Sequence, residues 1–131
     1  MMKDLVKERI VAYRERNRIL AAMGYASYEA YRCSALWRGV RAKVLAVNPF
    51  CYVCNGNAAE VHHAKYRKID LEGRCLNFLY PVCRGCHGKF EFRNDGAKLS
   101  PKRASHKMQL LRTLKRTPPF PSHVVEKGRK R

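Results

Sequence analysis

The chain has 131 residues and 46% hydrophobic content, which suits one domain of ordinary size with tails and excludes two large domains. Its 28 Lys and Arg oppose 10 Asp and Glu, a formal net charge of +18 that divides as +6 over residues 1–50, +3 over 51–100 and +9 over 101–131. This charge predicts a polyanionic partner, with nucleic acid favoured over an anionic membrane surface. No apolar run approaches the roughly 18 residues of a membrane span. Charges also interrupt the first residues, where a signal peptide would be apolar, so we expect a cytoplasmic protein and no membrane partner.

Residues 1–48 form the first predicted region, which is helical and basic. Apolar residues recur at helical spacing over 3–23, with arginines between them, and predict an amphipathic helix. Ser27 is a candidate cap for a short helical turn. Ser34 predicts the N-cap of a further helix that ends before Pro49.

Residues 49–96 form the second predicted region, in which the helical pattern gives way to Cys, His, Gly and short apolar runs. Residues 59–63 and 78–82 predict the two strands of a hairpin. The connection between the strands, 64–77, is long and polar. Residues 86–93 predict the helix that follows the hairpin.

Residues 97–131 form the third predicted region, a basic helix followed by a flexible basic tail. Ser100 and Pro101 combine a capping residue with a proline suited to the first helical position, and apolar spacing continues to about residue 116. Beyond residue 117, prolines and a run of Lys and Arg predict the tail. We interpret His106 and His123, which lie in these basic surroundings, as ordinary surface residues.

Two C-x-x-C pairs predict a metal site. The pairs are Cys51 with Cys54 and Cys83 with Cys86, and a two-residue spacer lets both sulfurs of a pair turn onto one ion about 2.3 Å away. In a reducing compartment such pairs bind metal more often than they form disulfides. Four thiolates make a closed structural zinc site, and the alternative is two unrelated pairs of buried cysteines.

Three of the five histidines lie between or beside the two cysteine pairs and are not needed by a four-cysteine zinc site. His62 and His63 are adjacent on a predicted strand, and His87 follows the last cysteine directly. Adjacent strand residues point to opposite faces, so His62 and His63 face one site only if the strand ends or bends there. A surface pair of histidines is the alternative.

The order of these cysteines and histidines along the chain is similar to the motif of a known protein family. It runs Cys51-x-x-Cys54, Glu60-Val61-His62-His63, Asn77, Pro81-Val82-Cys83-x-x-Cys86-His87, preceded by Ser34-x-x-Trp37-Arg38-x-x-Arg41. This order resembles the HNH endonuclease family, in the branch of small bacterial and phage proteins that is stabilised by a four-cysteine zinc. The resemblance implies an α+β fold with a ββα-metal (His-Me finger) core and two zinc knuckles, flanked by N- and C-terminal helices.

The resemblance also implies residue roles. His62 and His87 would bind one catalytic divalent ion, and His63 would be the general base that activates a water. Asn77 would orient His63, although in some relatives the equivalent residue is a metal ligand. The residue types leave the ion open among Mg²⁺, Mn²⁺, Ni²⁺ and Zn²⁺.

The implied reaction is hydrolysis of phosphodiester bonds in DNA, and phage packaging or restriction machinery is the implied context. Candidate phosphate contacts near the motif are Lys65, Arg67, Lys68, Arg84 and Lys89, with the Lys and Arg of the first and last helices as further ones. Two other functions stay open: a zinc-stabilised nucleic-acid-binding module without catalysis, and an RNA- or ribosome-associated zinc protein. A binding module needs none of the three histidines or Asn77.

Two further residues have a weaker interpretation. Glu60 lies on the same side of a regular strand as His62, so it either orients a metal ligand or is a solvated charge. Cys75 is expected to be a small buried apolar thiol.

Overall fold

A computed structural model describes residues 2–117 and shows an α+β fold. In chain order its elements are α1 (Met2–Ala22), α2 (Tyr28–Arg32), α3 (Ala35–Val47), β1 (Glu60–His63), α4 (Lys68–Leu71), β2 (Leu79–Val82), α5 (Arg84–Phe90) and α6 (Pro101–Arg116). The predicted tail after residue 117, including His123, lies outside the described residues. Within residues 2–117, no helix combines the length and apolar character needed to cross a membrane.

Three serines begin helices as predicted. The hydroxyls of Ser27, Ser34 and Ser100 each accept a hydrogen bond from the backbone N–H three residues further on, at 3.0, 3.1 and 3.3 Å. Each satisfies an N–H group that has no partner inside its helix. These caps set the starts of α2, α3 and α6.

Two elements differ from the prediction. The helix expected at 86–93 begins at Arg84, because Cys83 is its N-cap and accepts from the backbone N–H of Cys86, and it ends at Phe90. The connection between the strands contains the short helix α4, which the sequence pattern did not indicate. Four residues are too few to show helical periodicity.

The two strands form an antiparallel hairpin that separates two hydrophobic clusters. Glu60 lies opposite Val82, and His62 lies opposite Tyr80. On one face α3 contacts both strands, and on the other α5 contacts β1 and is itself covered by α6. The first cluster contains Leu20, Tyr31, Trp37, Val40, Val44, Val61, Leu71 and Leu79. The second contains Cys51, Val53, Val82, Cys86, Phe90, Ala104 and Met108.

The loop after α4 lies directly against α3. Gly73 has φ +74°, and a Cβ at this position would lie 2.5 Å from a methyl carbon of Val40. Both the backbone conformation and the close approach require glycine here. The contact ties the connection between the strands to the N-terminal helices.

Helix α1 is tied to the start of α6. Tyr13 donates a hydrogen bond to the carbonyl of Leu99 at 2.9 Å, and Ser100 donates to Glu8 at 2.9 Å. Arg103 forms an ion pair with the same carboxylate at 3.1 Å. The N-terminal and C-terminal helices therefore enclose the hairpin together.

Candidate metal centres

The cysteines of both C-x-x-C pairs meet at one point. Cys51 and Cys54 lie in the turn between α3 and β1, and Cys83 and Cys86 lie at the N-cap and in the first turn of α5. The four sulfurs all lie within 4.8 Å of one another, and those of Cys54 and Cys83 are 3.8 Å apart. Two thiolates bound to one tetrahedral ion at about 2.3 Å are expected about 3.8 Å apart. The cluster is therefore compatible with a structural metal such as zinc.

The surroundings shift the pKa values of two of the cysteines in opposite directions. Burial alone would raise the pKa of Cys51, but backbone N–H groups, including that of Cys54, donate to its sulfur and lower the pKa to about 7. Burial and the neighbouring sulfurs raise the pKa of Cys86 to about 12. Four sulfurs this close repel one another as anions, and a bound cation removes that repulsion.

Basic side chains of α6 contact both knuckles, a role that no sequence pattern indicated. Arg116 donates to all three backbone carbonyls of residues 51–53, at 2.8 to 3.1 Å. Arg112 donates to one of the same carbonyls at 2.9 Å, and Lys115 Nζ lies 3.5 Å from the sulfur of Cys86. Part of the positive charge of α6 thus contacts the protein itself.

A second group of metal-ligating side chains lies on the other side of α5. One ligand atom each from His62, His87 and Glu91 lies within 4.8 Å of the other two. A single carboxylate oxygen of Glu91 lies 3.1 Å from His62 Nδ1 and 2.7 Å from His87 Nε2. Because Cys83 and Cys86 belong to the first group, α5 and its two capping residues contribute to both.

Glu91 was not among the predicted ligands. It follows His87 by four residues, and this spacing places the two side chains on one face of a helix. The spacing His87-x-x-x-Glu91 is therefore the sequence signal that could have identified it.

Outer partners orient both imidazoles. His62 Nε2 lies 3.0 Å from the hydroxyl of Ser105 on α6, and His87 Nδ1 lies 2.8 Å from a carboxylate oxygen of Glu60. A serine hydroxyl can accept an N–H as well as donate, and a carboxylate accepts. Without an ion, the inner nitrogens can donate to Glu91. With an ion bound, each imidazole could instead keep its proton on the outer nitrogen and direct the lone pair of the inner nitrogen to the ion, as metal-binding histidines do. Glu60 thus contacts a candidate ligand, though it is His87 and not the neighbouring His62.

Electrostatics make the centre of this group an anion. Burial lowers the pKa of His62 below its ordinary value. At His87 burial acts in the same direction but is outweighed by hydrogen bonds to Glu91 and Glu60, which raise the pKa. Burial alone would raise the pKa of Glu91, but hydrogen bonds from both imidazoles hold it far below its usual range. The ionised carboxylate is the form that binds metal ions.

His63 lies on the opposite face of β1 from His62, as strand alternation predicts. Its ring is enclosed by the rings of Tyr66 and Trp37, each with its centroid 4.8 Å away. Its Nδ1 lies 3.4 Å from the hydroxyl of Tyr28, and its Nε2 is buried without a hydrogen-bond partner within the described part of the chain. Burial lowers the pKa of His63 to about 3, so the imidazole is neutral.

A cavity of about 290 Å³ brings His63 and the second group together. His63, His87 and Glu91 all line it, and Tyr28 contributes to the wall. His63 reaches this cavity although it lies on the other face of the strand, because the cavity passes the edge of β1, where Glu60 and Val61 also line it. One space therefore contacts two of the three candidate metal ligands, His87 and Glu91, and a neutral imidazole.

Asn77 lies on the turn before β2, with its side chain exposed. In residues 2–117 no hydrogen bond joins it to His63, whose Nδ1 faces Tyr28 instead. The role of Asn77 therefore stays a prediction. Cys75 is half-buried, and its sulfur lies 3.8 Å from the guanidinium of Arg67.

Of the predicted phosphate contacts, Arg84 alone lines the cavity beside His87 and Glu91. Lys65 and Arg67 lie over the ring of Phe78, at 4.3 and 5.0 Å from its centroid. Arg67 is also paired with Asp70 at 2.9 Å. Lys68 is paired with Glu72 at 3.5 Å, and Lys89 is exposed on α5.

Comparison with family models, with curated protein sequences and with solved structures finds no match to the chain. The functional argument therefore depends on the geometry of the two groups and the cavity.

Proposed function

We propose that the chain is a metal-dependent endonuclease of the HNH type, with a ββα-metal core, that hydrolyses phosphodiester bonds of DNA. The observation that carries the proposal is the convergence of His62, His87 and Glu91 beside a separate four-cysteine group. A structural zinc needs only the cysteines, so the second group calls for another role. The order β1, β2, α5 agrees with the element order of such a core.

In this proposal zinc occupies the four-cysteine group, and His62, His87 and Glu91 bind one divalent ion. Two imidazoles and a carboxylate suit Mn²⁺, Ni²⁺ or Zn²⁺, and they suit Mg²⁺ where water and phosphate supply the other ligands. Three protein ligands leave coordination positions open, as a catalytic site requires. A divalent ion bound there would supply positive charge that offsets the negative charge of the phosphate and of the transition state.

His63 is the proposed general base. Its neutral imidazole is the form that accepts a proton, and with its own proton on Nδ1, donated to Tyr28, the lone pair of Nε2 is available. A buried acceptor without a partner costs roughly 1–3 kcal/mol, and such groups in native proteins commonly have a functional explanation. We assign the orienting of His63 to Tyr28, since its hydroxyl is the one in contact with the ring.

The substrate assignment rests on charge. A formal +18 favours a polyanion, and several arginines line the space beside the candidate metal ligands. Arginine binds phosphate oxygens through paired N–H donors. A phosphodiester placed there would lie near both His63 and the metal-ligand set.

The experiment is cleavage of supercoiled plasmid DNA by the full chain, with Mg²⁺, Mn²⁺ or Ni²⁺ added and no chelator present. We expect nicked or linear product, and we expect His63→Ala to lower the rate by about 100- to 10,000-fold, the usual contribution of a general base. His106→Ala is the matched control, since His106 is exposed on α6 away from the cavity.

Two results would count against the proposal. Undiminished cleavage by His63→Ala would contradict the role of His63. DNA binding without cleavage, under every metal, would favour a zinc-stabilised binding module instead.

A further inference from the structure

A second cavity lies beside the first and is lined by arginines. It has a volume of about 460 Å³ and lies between the α2–α3 segment and the start of α5. Four arginines line it: Arg32, Arg38, Arg41 and Arg84. We refer to this cavity as the arginine groove.

The arginine groove continues into the cavity that contains His63 and Glu91. Tyr28, Arg32, Glu60, Arg84 and His87 line both spaces. A ligand in the groove therefore extends directly to the candidate metal ligands.

The charge in the groove is strongly positive. Four guanidinium groups and one carboxylate line it; the carboxylate is that of Glu60, which is already paired with Arg84 at 3.1 Å and with His87 at 2.8 Å. Arg32 also lies 3.9 Å from Glu29, which does not line the groove. The side chains of Arg32 and Arg84 are 53% and 84% exposed, so both can reach a ligand.

The internal contacts of the arginines use only part of their hydrogen-bonding capacity. Arg38 donates to the carbonyl of Cys33 at 2.8 Å, and Arg41 donates to the carbonyl of Ala59. A guanidinium has five N–H donors in a planar fork, so each of these residues is positioned by one contact and keeps others for a ligand.

We propose that the arginine groove binds the phosphodiester backbone of the nucleic-acid strand on one side of the cut. This inference rests on the proposed function and specifies the path of its substrate. Four guanidinium groups along one groove suit several consecutive phosphates better than a single free phosphate. The main phosphate contacts then come from α2 and α3. The sequence had predicted phosphate contacts near the motif at Lys65, Arg67, Lys68 and Lys89 as well as Arg84.

The test measures binding separately from cleavage. A short labelled DNA duplex is titrated with the full chain carrying His63→Ala, by fluorescence anisotropy at several salt concentrations. The slope of log affinity against log salt is negative, and losing one phosphate contact lowers its magnitude by about 0.9. We expect Arg32→Gln with Arg38→Gln to lower the magnitude of the slope by about 1.8 and Arg84→Gln alone to lower it by about 0.9, equally for unrelated sequences.

The matched control removes the same charge elsewhere. Lys43 and Arg74 are exposed, line none of the cavities described above and are not among the candidate phosphate contacts, and Arg74 is paired with Glu72 as Arg84 is with Glu60. We expect Lys43→Gln with Arg74→Gln to leave the slope unchanged. Thermal unfolding of each variant confirms that it is folded, and Arg84→Gln, at the most exposed position, keeps the test decisive if the double variant is unstable.

Different results separate this inference from the proposed function. If the groove variants and the control variants had the same salt slope, the arginine groove would not be the phosphate-binding site. If the chain also cleaved DNA, that result would contradict this inference but leave the proposed function standing. The expected slopes without any cleavage would support the groove and contradict the nuclease. Inorganic phosphate is the second probe: saturable phosphate binding lost in Arg84→Gln, with the duplex slope unchanged, would make this a site for a free anion and overturn the inference.

Discussion

The four-cysteine group and the His62–His87–Glu91 group both use residues of α5 and its caps, but they differ in their surroundings. The cysteines are enclosed by the protein, because Arg116 covers the backbone of the first knuckle and Lys115 contacts one sulfur. In the second group, His87 and Glu91 border a cavity of about 290 Å³ that also contacts His63. An enclosed set of like ligands suits a structural ion, whereas a mixed set beside open space suits an ion that binds a substrate.

This difference predicts that the two groups fail in different ways. Substituting one of the four cysteines should unfold the chain. Substituting a residue of the second group should abolish divalent-ion binding and cleavage while the chain stays folded.

The largest effect is expected from Cys83→Ser. Cys83 is both a candidate metal ligand and the N-cap of α5, and serine can keep the cap, so the substitution tests the loss of the ion ligand. Structural zinc contributes about 10–16 kcal/mol in zinc-finger peptides, which is as large as the whole stability of a typical domain. We expect zinc content by mass spectrometry to fall and the circular dichroism at 25 °C to show an unfolded middle segment.

Cys33→Ser is the control, since Cys33 is exposed and belongs to neither group. It should keep both zinc and fold. A well-folded Cys83→Ser protein without zinc would contradict the structural role of the cysteines.

An intermediate effect is expected from Glu91→Gln. The substitution keeps the size of the side chain but removes the anion between His62 and His87. Losing an outer partner of a metal ligand commonly costs about 10- to 100-fold in affinity, so losing the ligand itself should weaken Mn²⁺ binding by more than about 100-fold. Calorimetric titration measures the affinity, and the plasmid assay should show a parallel loss of cleavage.

Glu72→Gln provides the comparison, because Glu72 is paired with Arg74 on the surface and belongs to neither group. It should leave Mn²⁺ affinity unchanged. If Glu91→Gln bound Mn²⁺ as the unmodified chain does, Glu91 would not be a ligand.

The smallest effect is expected from Arg116→Gln. Its guanidinium joins the end of α6 to three carbonyls of the first knuckle, but the side chain is exposed and water can replace part of these bonds. We expect the free energy of unfolding in urea to fall by about 1–2 kcal/mol. Zinc stays bound but should pass to a chelator faster, while Arg74→Gln should change neither quantity.

The sequence predicted the parts of this molecule that depend on local chemistry. Serine caps at Ser27, Ser34 and Ser100 act within three residues, and the C-x-x-C spacing is set within one turn, so all of these are visible in a short stretch. The sequence also predicted that the two cysteine pairs meet, because each C-x-x-C spacer lets both sulfurs of a pair bind one ion and a tetrahedral ion takes four.

The sequence missed what depends on packing between distant elements. Ser105 reaches His62 from α6, and Tyr28 reaches His63 from α2, across 43 and 35 residues of chain. No local pattern indicates either contact. The role of Arg116 was missed for the same reason: in sequence a basic helix looks like a phosphate-binding surface, and only the packing of α6 shows that some of its charges contact backbone carbonyls.

The shared helix α5 has a consequence for metal binding. Cys86 and His87 are adjacent, and an ion bound by the cysteines would fix the turn of helix that carries His87 and, one turn later, Glu91. Filling one site would therefore lower the conformational entropy lost on filling the other, a positive thermodynamic linkage between two different ions. Such linkage is reciprocal, so a divalent ion at His62, His87 and Glu91 would raise the affinity of the cysteines for zinc by the same factor as zinc raises the affinity of that site for the divalent ion.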